Sequence, residues 1–476
     1  MVSNGLRRTH SLRIPRCARV SPLLQLCFAA PNRSKARCVQ RLRPLAPVRH
    51  RRNHSRMAHI VLSVMPFAGH VAPATGLVAE VVARGHPVTV YTGARYRSRF
   101  EALGAAVHTW QAAPDFDEHN LPATFPGTDK PGRLAVRADI EQVFVRTLGG
   151  QARDLVQLHR QHPIDLLLGD VLTFGTGPAA ELLDVPWVSV SFVPLSYPTP
   201  TLPMPGLGLG PGHGGIGRLR EAALRRVFTL FSHRIGRLLT EQRAGLGLPP
   251  SSTPVNLVLY SPRLNLASGC ALLDFSRTDL PDTVRFVGRL PTVGGEHPLP
   301  DWWARLGDRP VVLVTQGTLN IDARQLLRPA LEALADVDVT VLATTGGVPL
   351  PFPAPENALV ADFVPFERAL GLASLVISNG GWGGTVETLA HGVPMVVAGG
   401  DRDKPEVAAR VDHSGAGLSL HTGRPSAHRV RAGYDLVMGS TGYRERARTV
   451  AADLAALGGP RLAVDLVEEV LADVGV

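Results

Sequence analysis

Cysteine is scarce in this chain of 476 residues, and its distribution is uneven. Only four cysteines are present, and three of them, Cys17, Cys27 and Cys38, lie within the first 56 residues. The rest of the chain contains Cys270 alone. Because a disulfide framework or a thiolate metal cluster needs several cysteines, the body of the protein can contain neither.

A hydrophobic run long enough to cross a bilayer is also missing. The apolar stretch VSPLLQLCFAA at residues 20–30 is too short for a membrane span. The length of 476 residues and the hydrophobic content of 45% fit two domains that each have a full core. The sequence therefore predicts a globular, cytoplasmic protein without stable membrane insertion.

Acidic residues are absent from residues 1–56, which hold 14 Lys and Arg residues. The remaining chain holds 36 basic and 40 acidic residues, so the net charge of +10 comes from this extension. A basic patch defines a nucleic-acid ligand only when it belongs to the folded domain. We therefore predict no nucleic-acid partner.

The extension itself has two interpretations. Its apolar run among arginines is compatible with a signal or transit peptide. Against that, the run is followed by further arginines in RLRPLAPVRHRRNHSR, and a clean strand begins only after Met57. We expect residues 1–56 to be disordered, or not translated because the start codon lies at Met57.

The segment 361–404 carries the clearest ligand signal. A short aliphatic run at residues 375–378 predicts a buried strand, a glycine-rich turn follows at residues 379–384, and TVETLAHG predicts a helix that ends at Gly392. A strand, a glycine turn and a helix N-terminus together present free backbone N–H groups and the positive end of a helix dipole. This order predicts a diphosphate site.

Two further features lie beside this site. Glu387 falls one helical turn after Gly383, so its carboxylate can accept hydrogen bonds from a sugar or ribose diol, although a solvated helix residue is the simpler interpretation. A second buried strand, VPMVVAG, leads to Asp403 and Lys404. Polar groups at the carboxyl end of a strand face the ligand crevice of an open α/β sheet.

The beginning of the chain body predicts a βαβ unit. AHIVLSV at residues 58–64 is a strand, MPFAGHVAP a turn that contains His70, and ATGLVAEVVARG a helix. PIDLLLGD is a later buried strand that ends at Asp170, which serves either as a ligand-facing carboxylate or as a helix N-cap. His70 and Asp170 are thus both expected at strand carboxyl ends.

Other segments complete the predicted order. The Pro/Gly-dense residues 194–217 predict a loop, and residues 218–246 a helix. The strands NLVLY and VRFVG then close a first domain near Gly288, and a linker with Trp302 and Trp303 at the domain boundary follows. The second domain opens with VVLVTQGTLN, and the strand DVDVTVLATTG and the segment ENALVADFVPFE follow it.

The segment 361–404 resembles the donor-binding signature of family 1 glycosyltransferases, the UDP-glycosyltransferase superfamily. The family form His-Cys-Gly-Trp-Asn-Ser-Thr-x-Glu, Gly-Val-Pro, Asp-Gln is matched by residues 379–387, 392–394 and 403–404. The family's Gly-His-x-x-Pro recurs at residues 69–73. Departures are Asn379 for histidine, Gly384 for serine, Lys404 for glutamine, Phe363 for tryptophan and Phe366 for glutamine. The overall order resembles bacterial natural-product members.

The resemblance implies the GT-B fold, an α/β architecture of two Rossmann-like domains that face each other across a cleft, with a C-terminal helix that can cross back. Residues 57–289 are then the acceptor-binding domain, residues 290–307 the linker and residues 308–476 the nucleotide-sugar-binding domain. The loop 194–217 is a lid or acceptor-side loop, and the segment 112–135 also contributes to acceptor selection.

The resemblance also assigns roles to residues. His70 corresponds to the catalytic base and Asp170 to the carboxylate that orients it. The donor-binding positions are Gln316, Gly317, Thr318, Phe363, Val364, Asn379, Gly381, Trp382, Gly383, Gly384, Thr385, Glu387, Asp403 and Lys404. Of three Asp-x-Asp triplets, at Asp115, Asp336 and Asp401, only the last lies at the donor site, and its neighbour Lys404 argues against a cation. We expect no metal and no cofactor.

The implied activity is inverting, metal-independent transfer of a hexose or deoxyhexose from a UDP- or TDP-linked donor to a small lipophilic acceptor such as a natural product. The partners are thus a nucleotide sugar and a small-molecule acceptor. Two alternatives stay open, a non-catalytic binding protein with the same fold and a nucleotide-sugar epimerase. The oligomeric state is not indicated.

Overall fold

The computed structural model describes residues 57–476 apart from residues 131–132, 201, 204–205, 213, 296, 318–321, 401 and 476. The basic extension of residues 1–56 and the predicted donor residue Thr318 therefore lie outside the described residues. The described chain is organised around two parallel β-sheets.

The first sheet has seven parallel strands in the order β3-β2-β1-β4-β5-β6-β7. Its strands are β1 Ile60–Ser63, β2 Val88–Thr92, β3 Ala106–Thr109, β4 Leu166–Asp170, β5 Trp187–Ser191, β6 Asn265–Ser268 and β7 Val284–Gly288. The central strands β1, β2 and β4 are buried along their whole length, as expected for a parallel sheet that is covered on both faces.

Helices cover both faces of this sheet. They are α1 Ala68–Ala83, α2 Arg97–Glu101, α3 Leu121–Thr124, α4 Arg133–Ala138, α5 Leu148–Gln161, α6 Thr176–Leu183 and α7 Gly214–Ala244, with a π-helical segment at Asp139–Val145 after α4. Helix α1 begins earlier than the predicted helix at residues 74–85, because Glu118 from a distant loop accepts a hydrogen bond from the backbone N–H of Ala68 at 2.8 Å. His70 is therefore in the first turn of a helix.

The second sheet has six parallel strands in the order β10-β9-β8-β11-β12-β13. They are β8 Val311–Thr315, β9 Thr340–Thr344, β10 Ala358–Ala361, β11 Ala373–Ser378, β12 Met395–Val397 and β13 Gly417–Ser419. Its helices are α8 Leu327–Leu334, α9 Phe366–Leu372, α10 Trp382–Ala390, α11 Lys404–Ser414, α12 Ala427–Met438 and α13 Thr441–Leu457. These elements confirm the prediction of two Rossmann-like domains.

The last helix, α14 at Pro460–Asp473, crosses back to the first sheet. Its buried residues Ala463, Val464, Leu466, Val467 and Leu471 share one hydrophobic core with residues of β1, β2, β4 and α1. Arg84 at the end of α1 also forms an ion pair with Asp465 at 2.7 Å. The predicted return of the C-terminal helix is confirmed.

One predicted strand in the middle of the chain was wrong. NLVLY at residues 256–260 is a series of turns, in which Leu257 N–H bonds Pro254 C=O at 2.8 Å, and the strand β6 begins at Asn265. The apolar residues of NLVLY pack on a small core, which explains their strand-like pattern. Trp302 and Trp303 pack on a hydrophobic core that contains Cys270 and Leu273 together with residues of the second sheet, and Trp302 Nε1 donates to the Val360 carbonyl at 3.2 Å.

Each sheet reverses its strand order at one point. In the first sheet β1 pairs with both β2 and β4, and in the second β8 pairs with both β9 and β11. Ligands of open α/β sheets bind at the carboxyl ends of the strands next to such a reversal. Within the described part of the chain, no helix has both the length and the apolar character that a membrane span requires.

Candidate active site

The strand reversal of the first sheet brings His70 and Asp170 together. His70 follows β1 in the first turn of α1, and Asp170 is the last residue of β4. The Nδ1 atom of His70 lies 2.7 Å from Oδ2 of Asp170. The carboxylate also accepts from the backbone N–H groups of Met65 and Leu172, each at 3.2 Å. Since α6 begins only at Thr176, Asp170 orients the imidazole and is not a helix N-cap.

The charge environment of His70 favours its protonated form. Burial of the ring lowers its pKa, but the charge and hydrogen bond of Asp170 raise it, and the carboxylates of Asp403 and Glu118 add to this. The net result is a pKa above the ordinary value of 6.5. Because Asp170 accepts the proton on Nδ1, the lone pair of the neutral ring lies on Nε2, where it can receive a proton from a substrate.

Glu118 is a buried carboxylate that the sequence did not indicate. One of its oxygens accepts from the N–H of Ala68, and the other accepts from the hydroxyl of Tyr96. Burial and this hydrogen bond raise the pKa of Tyr96 above its ordinary range. Glu118 thus holds the first turn of α1, and with it the backbone that carries His70.

Aromatic side chains line the space beside the imidazole. The rings of Phe67 and Phe192 lie 6.1 Å and 6.4 Å from the ring of His70. Phe144, in the π-helical segment, stacks on Phe174 with 6.3 Å between ring centroids. With aromatics at only 5% of the sequence, this cluster is a strong concentration of apolar surface near the base. A π-helical segment often marks a functional site.

On the second sheet, β11 leads directly into the N-terminus of α10. The helix begins at Trp382 with Gly381 as its N-cap, so the predicted start at Thr385 was wrong, and Gly383 and Gly384 belong to the first turn. A side chain at Gly381, Gly383 or Gly384 would meet nothing within 4 Å. The first N–H groups of α10 therefore open onto free space, as an approaching phosphate requires.

The neighbouring turn after β8 has a structural role. The side chain of Gln316 accepts from the N–H groups of Leu326 and Leu327, at 3.3 Å each, and so holds the start of α8. Gly317 follows with a positive φ of 80°, and Asn379 donates from Nδ2 to the Gln316 carbonyl. Asn379 thus ties the ends of β8 and β11 together at the proposed phosphate position.

Trp382 and Thr385 direct their side chains away from the open space. The indole N–H of Trp382 donates to Ser268 Oγ of the first sheet at 2.8 Å, and the ring packs against Gly269. Thr385 is fully buried. Only the backbone of these two predicted donor residues is left to face a ligand.

Phe363 presents an aromatic face at the predicted nucleobase position. Phe363 is exposed, at 38%, whereas its neighbour Val364 is buried in the second core. The ring of His297 stacks on Phe363 with centroids 4.6 Å apart. A nucleobase can occupy the same kind of stacking position.

Glu387 makes an ion pair with Arg289, which follows the last strand of the first sheet. Burial raises the pKa of Glu387 above its ordinary value, against the opposing charge of Arg289 and His391. Glu367 lies near the same guanidinium nitrogen of Arg289, at 3.8 Å. Glu367, Glu387 and His391 are close enough to share a cation, and the guanidinium of Arg289 supplies positive charge beside them.

The segment after β12 brings Asp403 and Lys404 to the start of α11. Arg402 lies in the left-handed backbone region with φ of 53°, and its guanidinium is 3.5 Å from Asp139 of the π-helical segment. Asp403 is near enough to His70 to raise its pKa. The charge of Asp403 thus acts on the predicted base. Of the Asp-x-Asp triplets, Asp401 lies outside the described residues, and Asp336 pairs with Arg431.

The arrangement has two halves with complementary chemistry. The first sheet supplies an oriented imidazole beside an apolar wall, which suits deprotonation of a hydroxyl on a lipophilic molecule. The second sheet supplies a helix N-terminus, an aromatic face and polar side chains, which suit a nucleoside diphosphate. Donors at a helix N-terminus also stabilise negative charge that develops on a leaving diphosphate.

Residues 328–470 match the family model described as the erythromycin biosynthesis protein CIII-like C-terminal domain. The chain is 36% identical to 4'-demethylrebeccamycin synthase of Lentzea aerocolonigenes over 86% of this chain and 99% of that protein. It is 30% identical to UDP-glycosyltransferase 2 of Phaeomoniella chlamydospora over 87% of this chain and 96% of that protein. These matches extend over both sheets.

The fold is shared with solved structures. The crystal structure of glycosyltransferase VinC in complex with dTDP matches with a TM-score of 0.63 at 20% identity, over 88% of this chain and all of that one. The two-sheet architecture is therefore that of the GT-B fold.

Proposed function

Because this chain belongs to the UDP-glycosyltransferase superfamily of glycosyltransferases, we propose that it moves a hexose or deoxyhexose from a UDP- or TDP-linked donor to a hydroxyl of a lipophilic natural product. The transfer inverts the configuration of the anomeric carbon. One observation carries this proposal: His70, held by Asp170 at 2.7 Å, lies in helix α1, which contacts α10, and is close enough to Asp403 for that carboxylate to raise its pKa.

The reaction is a single displacement. The acceptor hydroxyl gives its proton to Nε2 of His70, and its oxygen attacks the anomeric carbon of the donor sugar. The bond between that carbon and the diphosphate oxygen breaks, and its electron pair leaves with the nucleoside diphosphate. Asp170 stays ionised and stabilises the imidazolium that forms. Attack from the side opposite the leaving group produces the inversion.

The leaving diphosphate is stabilised without a metal in this proposal. Gly381, Gly383 and Gly384 are exposed at the helix N-terminus and have free space around them, so their backbone N–H groups can donate to phosphate oxygens. Asn379 spans the ends of β8 and β11 at the same place. Lys404 follows Asp403 at the start of α11, and a lysine is a poor neighbour for a divalent cation.

The acceptor class follows from the walls of the first half of the cleft. Phe67 and Phe192 pack beside the ring of His70 as buried side chains, and the half-buried Phe144, next to Phe67, stacks on the half-buried Phe174, so partly exposed aromatic surface lies close to the base. Such surface favours a flat or lipophilic acceptor over a polar sugar or a peptide. The names of relatives that act in the synthesis of natural products, 4'-demethylrebeccamycin synthase among them, support the same class.

Two nucleotides fit the donor half. A relative that is named a UDP-glycosyltransferase supports a uridine donor. A glycosyltransferase of the same fold in complex with dTDP supports a thymidine donor. Phe363 offers a stacking face to either base, because stacking on an aromatic ring does not distinguish uracil from thymine.

The test is product formation from defined donors. The protein is incubated with UDP-glucose or TDP-glucose and a panel of hydroxylated aromatic acceptors, and glycosylated products are followed by mass spectrometry. We expect a nucleoside diphosphate and a product with the opposite anomeric configuration, in the presence of a chelator as well as without one. Sugar conversion that needs no acceptor would indicate an epimerase, and no conversion with any donor would favour a binding protein.

Thermal unfolding identifies the nucleotide separately from the acceptor. A ligand at about 100 times its dissociation constant adds roughly 2.7 kcal/mol to the free energy of unfolding. We expect UDP or TDP to raise the melting temperature, and GDP and NAD to leave it unchanged. Equal shifts with all four ligands would contradict a selective donor site.

A further inference from the structure

The loop at residues 194–217 is attached to the donor side of the cleft by one carboxylate. Oε1 of Glu406, in the first turn of α11, accepts from the backbone N–H groups of Gly206 and Gly208, each at 2.9 Å. The glutamate is buried with 8% exposure. Two N–H groups of the first half of the protein thus converge on a single buried oxygen of the second half.

The same helix holds the beginning of the loop. Arg410, one turn after Glu406, donates to Glu406 Oε2 and to the carbonyl of Leu195, both at 2.9 Å. It also donates to Asp274 at 3.0 Å, and Asp274 pairs with Arg277, which donates to the carbonyls of Leu195 and Tyr197. The buried network therefore fixes the loop at two places that are well separated in sequence.

Close packing accompanies these hydrogen bonds. Gly208 has a positive φ of 62°, and a side chain there would come within 2.5 Å of Pro405 Cβ. Pro405 is itself in the first turn of α11, next to Glu406. The backbone of Gly208 thus lies directly against the surface of α11. The absence of a side chain and the positive φ allow both the packing on Pro405 and the hydrogen bond to Glu406.

Helix α11 begins at the predicted sugar-binding residues. Asp403 is its N-cap, and the N–H groups of Glu406 and Val407 donate to the Asp403 carbonyl at 3.0 Å and 3.1 Å. Less than one helical turn of rigid backbone thus separates the residue that faces the donor sugar from the residue that holds the loop. A displacement of Asp403 therefore displaces Glu406 as well.

We propose that Glu406 is a positioning residue that couples the occupancy of the donor-sugar site to the order of the acceptor-side loop at residues 206–212. When a donor sugar contacts Asp403 and Lys404, α11 is fixed and the loop is held in its docked position for the acceptor. This proposal rests on the proposed glycosyl transfer, since it assigns a donor sugar to Asp403.

A simpler interpretation is that Glu406 holds the loop in both the free and the donor-bound protein. Its hydrogen bonds to Gly206 and Gly208 would then not change when a donor binds. The chain offers a matched comparison, because Glu221 of α7 accepts from the N–H of Gly212 in the same loop at 3.1 Å. Glu221 is also buried but belongs to the first half of the protein, and it accepts hydrogen bonds from Gly212 and Arg220. Its bond should not respond to a donor.

The experiment measures amide hydrogen exchange of the peptides that cover residues 206–212. The full-length protein is compared alone, with UDP or TDP, and with UDP-glucose or TDP-glucose. We expect the nucleotide sugar to slow exchange at least about tenfold more than the diphosphate alone, because only the sugar reaches Asp403. In Glu406→Ala this additional protection is lost, and in Glu406→Gln, which keeps one acceptor oxygen, it is partly restored.

The control Glu221→Gln should accelerate exchange with and without ligand but keep the response to the sugar. Gly208→Ala breaks the same contact from the side of the loop and serves if the Glu406 variants do not fold. In transfer assays, we expect Glu406→Ala to raise the KM for the acceptor about tenfold. Because coupling is reciprocal, the variant should also bind the nucleotide sugar more weakly, while its affinity for the diphosphate alone is unchanged.

The outcomes separate the two proposals. If the diphosphates raise the melting temperature but the nucleotide sugar gives no additional protection, or gives the same protection in Glu406→Ala, the coupling is refuted and the donor site stands. If no diphosphate or nucleotide sugar binds, the proposed function fails and the coupling fails with it.

Discussion

The imidazole Nδ1 of His70 lies 2.7 Å from the carboxylate Oδ2 of Asp170, although 100 positions separate the two residues in the chain. Asp170 ends β4, His70 lies in the helical turn that follows β1, and β1 and β4 pair in parallel with Ser63 beside Gly169. The strand reversal of the sheet therefore creates the pair. It also leaves Nε2 of His70 as the nitrogen that can take a proton.

The pH dependence of transfer should reflect this pair. The pKa of His70 is raised chiefly by Asp170, and the base acts only when it is neutral. The rate should therefore rise with pH through a midpoint above 6.5. In Asp170→Asn that midpoint should move to lower pH, because the charge that stabilises the imidazolium is gone.

The plateau rate of Asp170→Asn should also fall by about 100-fold or more, because the orientation and tautomer of the base are lost. The measurement is kcat/KM against pH for the wild type and the variant at saturating donor. An unchanged midpoint would show that the titrating group is not His70.

Glu387 should contribute to the affinity for uridine nucleotides. Its carboxylate is paired with Arg289 and lies beside the open helix N-terminus, where a ribose is expected. We expect Glu387→Gln to weaken UDP binding about tenfold, the size of one hydrogen bond to a charged group. Glu367→Gln is the control, since Glu367 also neighbours Arg289 but is largely exposed. Calorimetry with UDP would refute the assignment if both variants bind like the wild type.

Gly384 occupies the place where related proteins have a serine that holds a phosphate. A side chain there would meet nothing within 4 Å, so the structure has room for it. We expect Gly384→Ser to tighten diphosphate binding several-fold, because one neutral hydrogen bond contributes about 0.5–1.5 kcal/mol. Gly384→Ala adds the same bulk without the hydroxyl. Equal affinities of the serine and alanine variants would contradict a phosphate at this position.

The C-terminal helix should stabilise the first half of the protein. Leu471 of α14 is buried in the core of the first sheet. Leu471→Ala should lower the free energy of unfolding by about 2–5 kcal/mol. Leu436 of α12 is 52% exposed, and Leu436→Ala should change the free energy of unfolding by less than about 0.5 kcal/mol. Equal unfolding curves for the two variants in urea would show that α14 does not dock as described.

Local sequence patterns predicted the elements that they determine directly. The aliphatic runs of β1, β4, β8 and β11 were found, and the polar residues at their ends, His70 and Asp170 among them, were expected in a cleft. The strand predicted at NLVLY was wrong because packing of a turn on a core produces the same apolar pattern as a strand. The predicted start of α1 was wrong because Glu118, which accepts from the first N–H group of the helix, comes from a loop 50 residues away.

Local sequence patterns could not predict the contacts between the two halves of the protein. The bond from Trp382 to Ser268, the ion pair of Glu387 with Arg289 and the anchoring of Gly206 by Glu406 each join residues that are about 100 or more positions apart. No periodicity or motif spacing encodes such pairs. The resemblance located the donor segment, but it did not indicate which of its side chains turn inward, as Trp382 and Thr385 do.

The most direct test of the account compares His70→Ala with the wild type in one preparation each. Product formation from UDP-glucose or TDP-glucose is measured together with the affinity for the matching diphosphate. We predict that transfer falls about 10²- to 10⁴-fold, the usual contribution of a general base, while diphosphate affinity is unchanged because His70 belongs to the other half of the cleft. Transfer by His70→Ala at the rate of the wild type would contradict the assignment of the base and with it the proposed mechanism.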